Sequence, residues 1–363
     1  MKTYFVWGVL VCLPAFAAFA LMRPTLGQEQ LSQPGVESKK LQVGAVQMHA
    51  ELQARLEKIG GQFKGRLGIL VSDPVSGPLA GIGQNERWYL ASTTKVLVAT
   101  EVLRQIEAGN LSYDDTIVLK HEHFRDGAGQ TNYQKPGTKL SIRYLMEQML
   151  TESDNAATDL LIDRVGIEQI QNTLVSAIPD GFGPITWLLD VRRHAYGELH
   201  PAAQKLGAPE YMRLKQAKTS KEKLRLFSQL TGVPASQFNF KTLREAFESY
   251  YAKGYNTATL TAFTQLLTKL ARGEWISAFV SSELFAFMSR CQTGQDRIVA
   301  GLPAGYKFAH KTGTQLGRIC DMGIIQTPAN KKLTVAVCAE KFRSDKHASN
   351  ALKQVGAAIA SVF

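Results

Sequence analysis

Strand periodicity at both ends of the chain, with helical periodicity between them, constrains the fold more than any other feature. Arg66 to Ser72 is an apolar-rich run of strand length. The turn Asp73-Pro74-Val75-Ser76-Gly77-Pro78 and a weaker strand at Leu79 to Gly83 follow it. Near the other end, Phe308 to Thr314, Arg318 to Gln326 and Leu333 to Glu340 have the same character. The last two are separated by the turn Thr327-Pro328-Ala329-Asn330-Lys331. From Thr93 to about Ser289 apolar residues recur at helical spacing, most clearly over 92–108, 141–151, 155–165, 167–177, 241–252, 257–272 and 281–289. Helical runs at Val46 to Ile59, closed by Gly60-Gly61, and at about Ala348 to Ser361 bracket the strands. The pattern predicts an α+β protein. One antiparallel sheet, built from both ends and flanked by the N- and C-terminal helices, carries an inserted all-helical lobe over about 92–300. A ligand cleft is expected where the two lobes meet. Helical pieces around 208–230 and 241–252, with Gly232-Val233-Pro234 between them, read as a further insertion over about 200–255 beside that cleft.

The 363 residues, 45% of them hydrophobic, suffice for one large catalytic domain over 46–363. Ahead of it, Lys2 precedes an uncharged, mostly apolar run from Thr3 to Met22 with an Ala18-Phe19-Ala20 cleavage pattern. Residues 1–22 therefore read as a signal peptide or an uncleaved N-terminal membrane anchor, and 23–45 as a flexible linker. Cys12 within the run follows Val11, a poor fit to a lipoprotein signal. The protein is expected to be exported. The formal net charge of +11 comes with no nucleic-acid motif, so no nucleic-acid partner is expected. Part of the excess is local: between Arg192 and Arg225 nine Lys or Arg face three Glu, which reads either as a patch for an anionic surface or, the favoured reading, as a solvated helical face. The histidines are scattered without metal-ligand spacing, His310 beside Lys311 reads as a wall residue, and neither metal nor cofactor is expected.

Three short strings fall in order along this framework: Ser92-Thr93-Thr94-Lys95, Ser153-Asp154-Asn155 and Lys311-Thr312-Gly313. Ser-x-x-Lys alone means little, since Ser220 to Lys223 repeats it in a lysine-rich stretch without apolar approach. The first copy differs because Val96-Leu97-Val98-Ala99 continues it as an apolar helix. Residues three apart share a helix face, so Ser92 and Lys95 can point into one cleft. A serine hydroxyl needs a base to become a nucleophile, and a lysine serves once burial and nearby cations lower its pKa. The ordered set of three is the signature of an acyl-transfer site.

Through "GRLGILVSDPVSG" from Gly65, "ASTTKVLVATEVL" from Ala91, "SDNAATDLLIDRVG" from Ser153 and "LPAGYKFAHKTGT" from Leu302, the chain resembles the class A β-lactamases. It is also similar to their relatives, the penicillin-interacting serine D-alanyl-D-alanine peptidases. The resemblance implies that Ser92 is acylated, that Lys95 takes its proton, and that Ser153 relays a proton to the leaving nitrogen. It further implies that Asn155 binds the substrate side-chain amide, Lys311 supplies positive potential and Thr312 contacts the substrate carboxylate. Gly313 belongs to the same binding strand, and the backbone N–H groups of Ser92 and Thr314 would form the oxyanion hole. The implied substrate is a β-lactam, with a peptidoglycan stem peptide or a non-turnover penicillin sensor as the alternatives. One departure stands out. The family's deacylating glutamate sits in Glu-x-x-Leu-Asn, and the nearest match here, Tyr196-Gly197-Glu198-Leu199-His200, lacks it. Glu198 and, second, Asp190 are the candidates to replace it, unless both are ion-paired near Arg192 and Arg193.

Among the cysteines, a turn centred near Ala329 places Cys320 opposite Cys338. Disulfides across antiparallel strands are strained, so two neighbouring free thiols are expected, with Cys291 unpaired.

Overall fold

The computed structural model describes residues 34–363. The signal or anchor segment at 1–22 lies outside the described residues, and no helix among the described residues is long and apolar enough to cross a membrane. The first helix runs Pro34–Gln62 rather than starting near Val46, so the second half of the expected linker is helical. A compact unit spans Ala45–Phe363.

Its five-stranded antiparallel sheet runs in the order Gly77–Ile82, Arg66–Asp73, Lys332–Glu340, Arg318–Gln326, Lys307–Gln315. The two ends of the chain thus meet at its centre, where Arg66–Asp73 pairs with Lys332–Glu340. Successive side chains on a strand face opposite ways, and each face has its own core. Ile69, Val71, Val335, Val337 and Ala339 pack against Leu52 and Leu56 of the first helix and Leu352, Val355 and Ile359 of the last, Asp345–Ala360. Leu70, Cys320, Met322, Ala336 and Cys338 turn instead towards the helical lobe, joining Val98 and Val102 of Lys95–Glu107 and Phe263 and Leu267 of Leu260–Arg272.

Several details depart from the sequence reading. The helix expected from 257 begins at Leu260, because Thr257–Thr259 pairs as a strand with Arg87–Tyr89 and the Thr259 hydroxyl caps the helix through Ala262 N at 3.0 Å. The expected 208–230 helix is two, Ala208–Gln216 and Ser220–Thr231. Thr219 starts the second with a reciprocal capping box to Glu222. These helices, with Leu188–Gly197 and Leu243–Ala252, enclose a third core rich in aromatics: Tyr89, Tyr196, Tyr211, Phe227, Phe247 and Tyr250.

The expected register holds, with Cys320 facing Cys338. The expectation of free thiols does not: the two form a disulfide, their Cα atoms 4.1 Å apart. That separation belongs to the closely spaced class of antiparallel pairs, which brings the sulfurs within bonding reach. Cys291 is buried and unpaired.

Candidate active site

The site is assembled from three elements that the fold drives together. A short 3-10 turn, Ala91–Thr94, leads into the helix Lys95–Glu107, so Ser92 sits just ahead of the helix and Lys95 on its first turn. Ser153-Asp154-Asn155 opens the helix Asn155–Val165, with Asp154 as its cap: Oδ1 accepts from Ala157 N at 2.9 Å and Oδ2 from Thr131 N at 2.7 Å. Lys311, Thr312, Gly313 and Thr314 lie on the edge strand Lys307–Gln315. Gly313 lets that strand press on the Ser92 turn, since a Cβ there would run into the Leu90 carbonyl. Gly127, at φ +107°, does the same for the loop over Asn155, whose Nδ2 donates to the Asp126 carbonyl at 2.7 Å.

Ser92, Ser153, Asn155, Thr312 and Thr314 line one cavity of about 240 Å³. Behind it Lys95 and Lys311 are fully buried. Lys95 Nζ donates to the Ser153 carbonyl at 2.5 Å, to Asn155 Oδ1 at 2.8 Å and to Ser153 Oγ at 3.3 Å. Lys311 Nζ reaches the same Ser153 Oγ at 3.0 Å. Burial, and next the Lys311 charge, hold Lys95 well below lysine's ordinary pKa, with the more distant Asp154 and Asp159 opposing. Burial lowers Lys311 to about 8. One hydroxyl therefore bridges two amines with depressed pKa values, an arrangement able to pass a proton. Three of the five non-glycine residues with left-handed backbone among the described residues also line this cavity: Ala91, Ser153 and Asn256. Strain of this kind persists where surrounding structure over-determines it, as in active sites.

The remaining wall was not foreseen from the sequence. Thr186, Leu188, Val191 and Arg192 line the cavity opposite the strand. Asp159 fixes this segment: its carboxylate accepts from Leu188 N at 2.6 Å, from Leu189 N at 3.1 Å and from buried Arg125 at 2.5 Å. On the strand side, Thr293 Oγ1 meets Thr312 Oγ1 at 2.5 Å, and Arg297 binds Thr314 Oγ1 at 2.7 Å and the Gly313 carbonyl at 3.1 Å. Arg297 is a lone arginine in the turn ahead of the short helix Ile298–Gly301, and nothing in the sequence marks it.

Among the described residues no aspartate or glutamate lines the cavity. Glu198, the sequence candidate for a water-activating base, is elsewhere: it pairs with Lys253 at 2.7 Å and accepts from Ser249 at 2.6 Å. Those partners outweigh its partial burial and hold its pKa below the ordinary value. Asp190 pairs with Arg193 at 3.2 Å. Tyr196, the residue in the family's glutamate register by sequence, is buried in the aromatic third core. The stretch that faces Ser92 is Thr186 to Arg192, so the match to Tyr196-Gly197-Glu198 was displaced along the chain. His310, expected on the wall, is buried against Asp321 at 2.7 Å instead.

This architecture and triad of motifs define a serine acyl-transfer enzyme of the β-lactamase type. The chain belongs to the beta-lactamase enzyme family, whose sequence profile it matches over residues 51–180 and 212–363. It is 23% identical over 310 residues to the extended-spectrum beta-lactamase PER-1 of Pseudomonas aeruginosa, covering 83% of each chain. To the beta-lactamase SME-1 of Serratia marcescens it is 22% identical over 305 residues, covering 83% of this chain and 85% of that one. Among solved structures, an ancestral class A beta-lactamase superposes with a TM-score of 0.65 at 22% identity, over 86% of this chain and all of the other. The structure of PBP-A superposes with a TM-score of 0.61 at 19% identity, over 86% of this chain and 95% of the other. Both structural likenesses bear on the fold.

Proposed function

We propose that the protein is an exported serine hydrolase that opens β-lactams through an acyl-enzyme on Ser92. The observation that carries this reading is the Ser153 hydroxyl held between Lys95 and Lys311 at the mouth of Ser92's cavity. Lys95, its pKa depressed by burial, takes the Ser92 proton in its neutral form as Oγ attacks the lactam carbonyl. The N–H groups of Ser92 and Thr314 receive the developing oxyanion. As the C–N bond breaks, Ser153 gives its proton to the leaving nitrogen and recovers one from Lys95, so the proton taken from Ser92 ends on the ring nitrogen. Thr312 and its partner Thr293 offer hydroxyls to the substrate carboxylate, while Lys311 and Arg297 supply positive charge. Asn155 binds the acyl side-chain amide.

Hydrolysis of the ester needs a second proton acceptor for water. With no carboxylate on the wall, neutral Lys95 takes that role as well, and turnover is slow. A stem peptide ending in D-Ala-D-Ala presents a comparable acyl group and is the second substrate to assay. Export is supported by the apolar N-terminal run and by the disulfide, a bond favoured outside the reducing cytoplasm. The test is a nitrocefin time course with intact-mass detection. A burst equal to the enzyme concentration, then a slow linear phase, is expected, with both phases and the mass adduct lost in Ser92→Ala. An adduct that survives in Ser92→Ala overturns the assignment.

A further inference from the structure

Beyond the cleft, and opening into it, lies a second cavity of about 700 Å³. The two share Gly127, Arg192, Thr314 and Gln315, so a ligand can run from one to the other. The shared mouth lies between the loop over Asn155 and the end of the strand that carries Thr314. Asn155, to which the proposed function gives the acyl side-chain amide, lies against Gly127 at this mouth, so a side chain held there would extend towards the second cavity.

The chemistry of the second cavity is one-sided. Its floor is buried aromatic and aliphatic surface from Tyr196, Tyr211, Leu214, Phe247 and Phe342. Its walls carry Lys215, Lys223, Arg244, Arg343 and Lys346, none of them in an ion pair among the described residues. Lys215 donates to the Gly127 carbonyl at 2.5 Å and so ties this wall to the cleft. Two carboxylates are present. Asp126 is neutralised by Arg192 at 2.6 Å, which leaves Asp345 alone against five cations. Three separate parts of the chain supply those cations: the paired helices at 208–231, the helix Leu243–Ala252, and the start of the terminal helix. What read in sequence as a solvated basic face is therefore, in part, the wall of a concave site.

We propose that this cavity binds an anionic group on the acyl side chain of the substrate, so that the enzyme prefers acyl donors with a negatively charged extension. An aliphatic spacer would pack on the aromatic floor while its terminal carboxylate meets the convergent lysines and arginines. Clefts lined by one sign of charge raise on-rates for the opposite sign by about 10-fold or more, an effect that salt screens. The inference rests on the reading of Ser92 as the acylated residue.

The experiment compares glutaryl-7-aminocephalosporanic acid with its terminal monoamide, which differs only in the distal charge. Second-order acylation rates are measured by stopped flow on the wild type at low and high salt. The same measurement is made on Lys223→Gln/Arg244→Gln and on Lys223→Glu/Arg244→Glu. The acid is expected to acylate about 10-fold faster than the amide at low salt. That ratio should fall with added salt, shrink in the neutralised variant and approach or cross one in the reversed variant. Equal rates for acid and amide in the wild type overturn the proposal, as does a ratio that is unchanged in both variants. Failure of both compounds to acylate Ser92 would instead overturn the acyl-enzyme reading, so the two failures are distinguishable.

Discussion

Replacing Lys311 with methionine should move the pH dependence of acylation as well as its rate. Lys95 Nζ and Lys311 Nζ lie 3.3 and 3.0 Å from the same Ser153 Oγ, so they are separated by no more than those distances end to end, about 6 Å. Two unit charges at about 6 Å repel by roughly 3 kcal/mol at an effective dielectric constant of ~20, which corresponds to about two pKa units. Burial depresses Lys95 more than Lys311 does, and the Lys311→Met variant leaves that contribution in place. In the wild type, acylation should rise with pH as Lys95 becomes neutral, then decline as Lys311 loses its proton near pH 8. In the variant the acid limb should shift upward by one to two pH units, about the repulsion removed, and the decline near 8 should disappear. Stopped-flow acylation by a fluorescent penicillin between about pH 5 and 10 reads both limbs, whatever the amplitude. An acid limb at the same pH in both proteins would refute the view that Lys95 is the base and that Lys311 tunes it.

Leu188→Glu places a carboxylate on the cavity wall facing Ser92 and should shorten the acyl-enzyme lifetime, by up to about 10²-fold if it aligns as a general base; intact-mass decay measures it, and an unchanged lifetime refutes the assignment of the wall. Tyr196→Glu should do nothing for turnover and should lower stability, because it buries a charge among the aromatic rings of the third core; circular dichroism melts and steady-state rates separate the two effects. Glu198→Gln should leave turnover unchanged and remove a pH-dependent part of stability. Its carboxyl has a lowered folded-state pKa, so its contribution is present above the ordinary glutamate value of about 4.3 and is lost as pH falls through the folded value. Urea midpoints of variant and wild type should therefore converge in acid. The double variant Cys320→Ser/Cys338→Ser opens a loop of sequence separation 18 and should lose about 3 kcal/mol of stability, read from denaturant unfolding under oxidising conditions.

The parts of the fold legible in the sequence are those governed by local pattern. The strand Arg318–Gln326 and the helices Asn155–Val165 and Ile167–Ala177 are where their periodicity and caps put them. The short strands at 87–89, 116–118 and 139–141 were not legible, because three residues give no period to detect and their pairing is set by distant partners. The three motif strings were legible for a different reason: each needs particular residue types within a few positions, on elements the pattern had already located. Arg297, Asn256 and Leu188 were not. They reach the cleft through tertiary contacts with Gly313, Thr186 and Asp159, and nothing in their own neighbourhoods marks them. The cysteine pair shows where a sound premise can still mislead: register was fixed by the turn, but the spacing class that decides between thiols and a disulfide is a backbone property invisible in sequence.

The internal segment that the family profile leaves unmatched, 181–211, also supplies the wall on which the proposed slow turnover rests. Its first half supplies the wall at Leu188 and Val191, and Asp159 holds that backbone in place with two N–H contacts. Its second half turns away to build the aromatic core with Tyr196, Leu199 and, at its very end, Tyr211. A carboxylate at the wall would lie near a lysine whose pKa burial depresses, and its charge would raise that pKa. A wall without a carboxylate would preserve the proposed acylation chemistry and give up a dedicated base for water. The same rearrangement opens the cationic cavity beside the cleft, since Tyr196 and Arg192 line both the segment's own core or cleft and the new site. Slow turnover and selectivity for anionic acyl donors are, on this reading, two consequences of one local change in the chain.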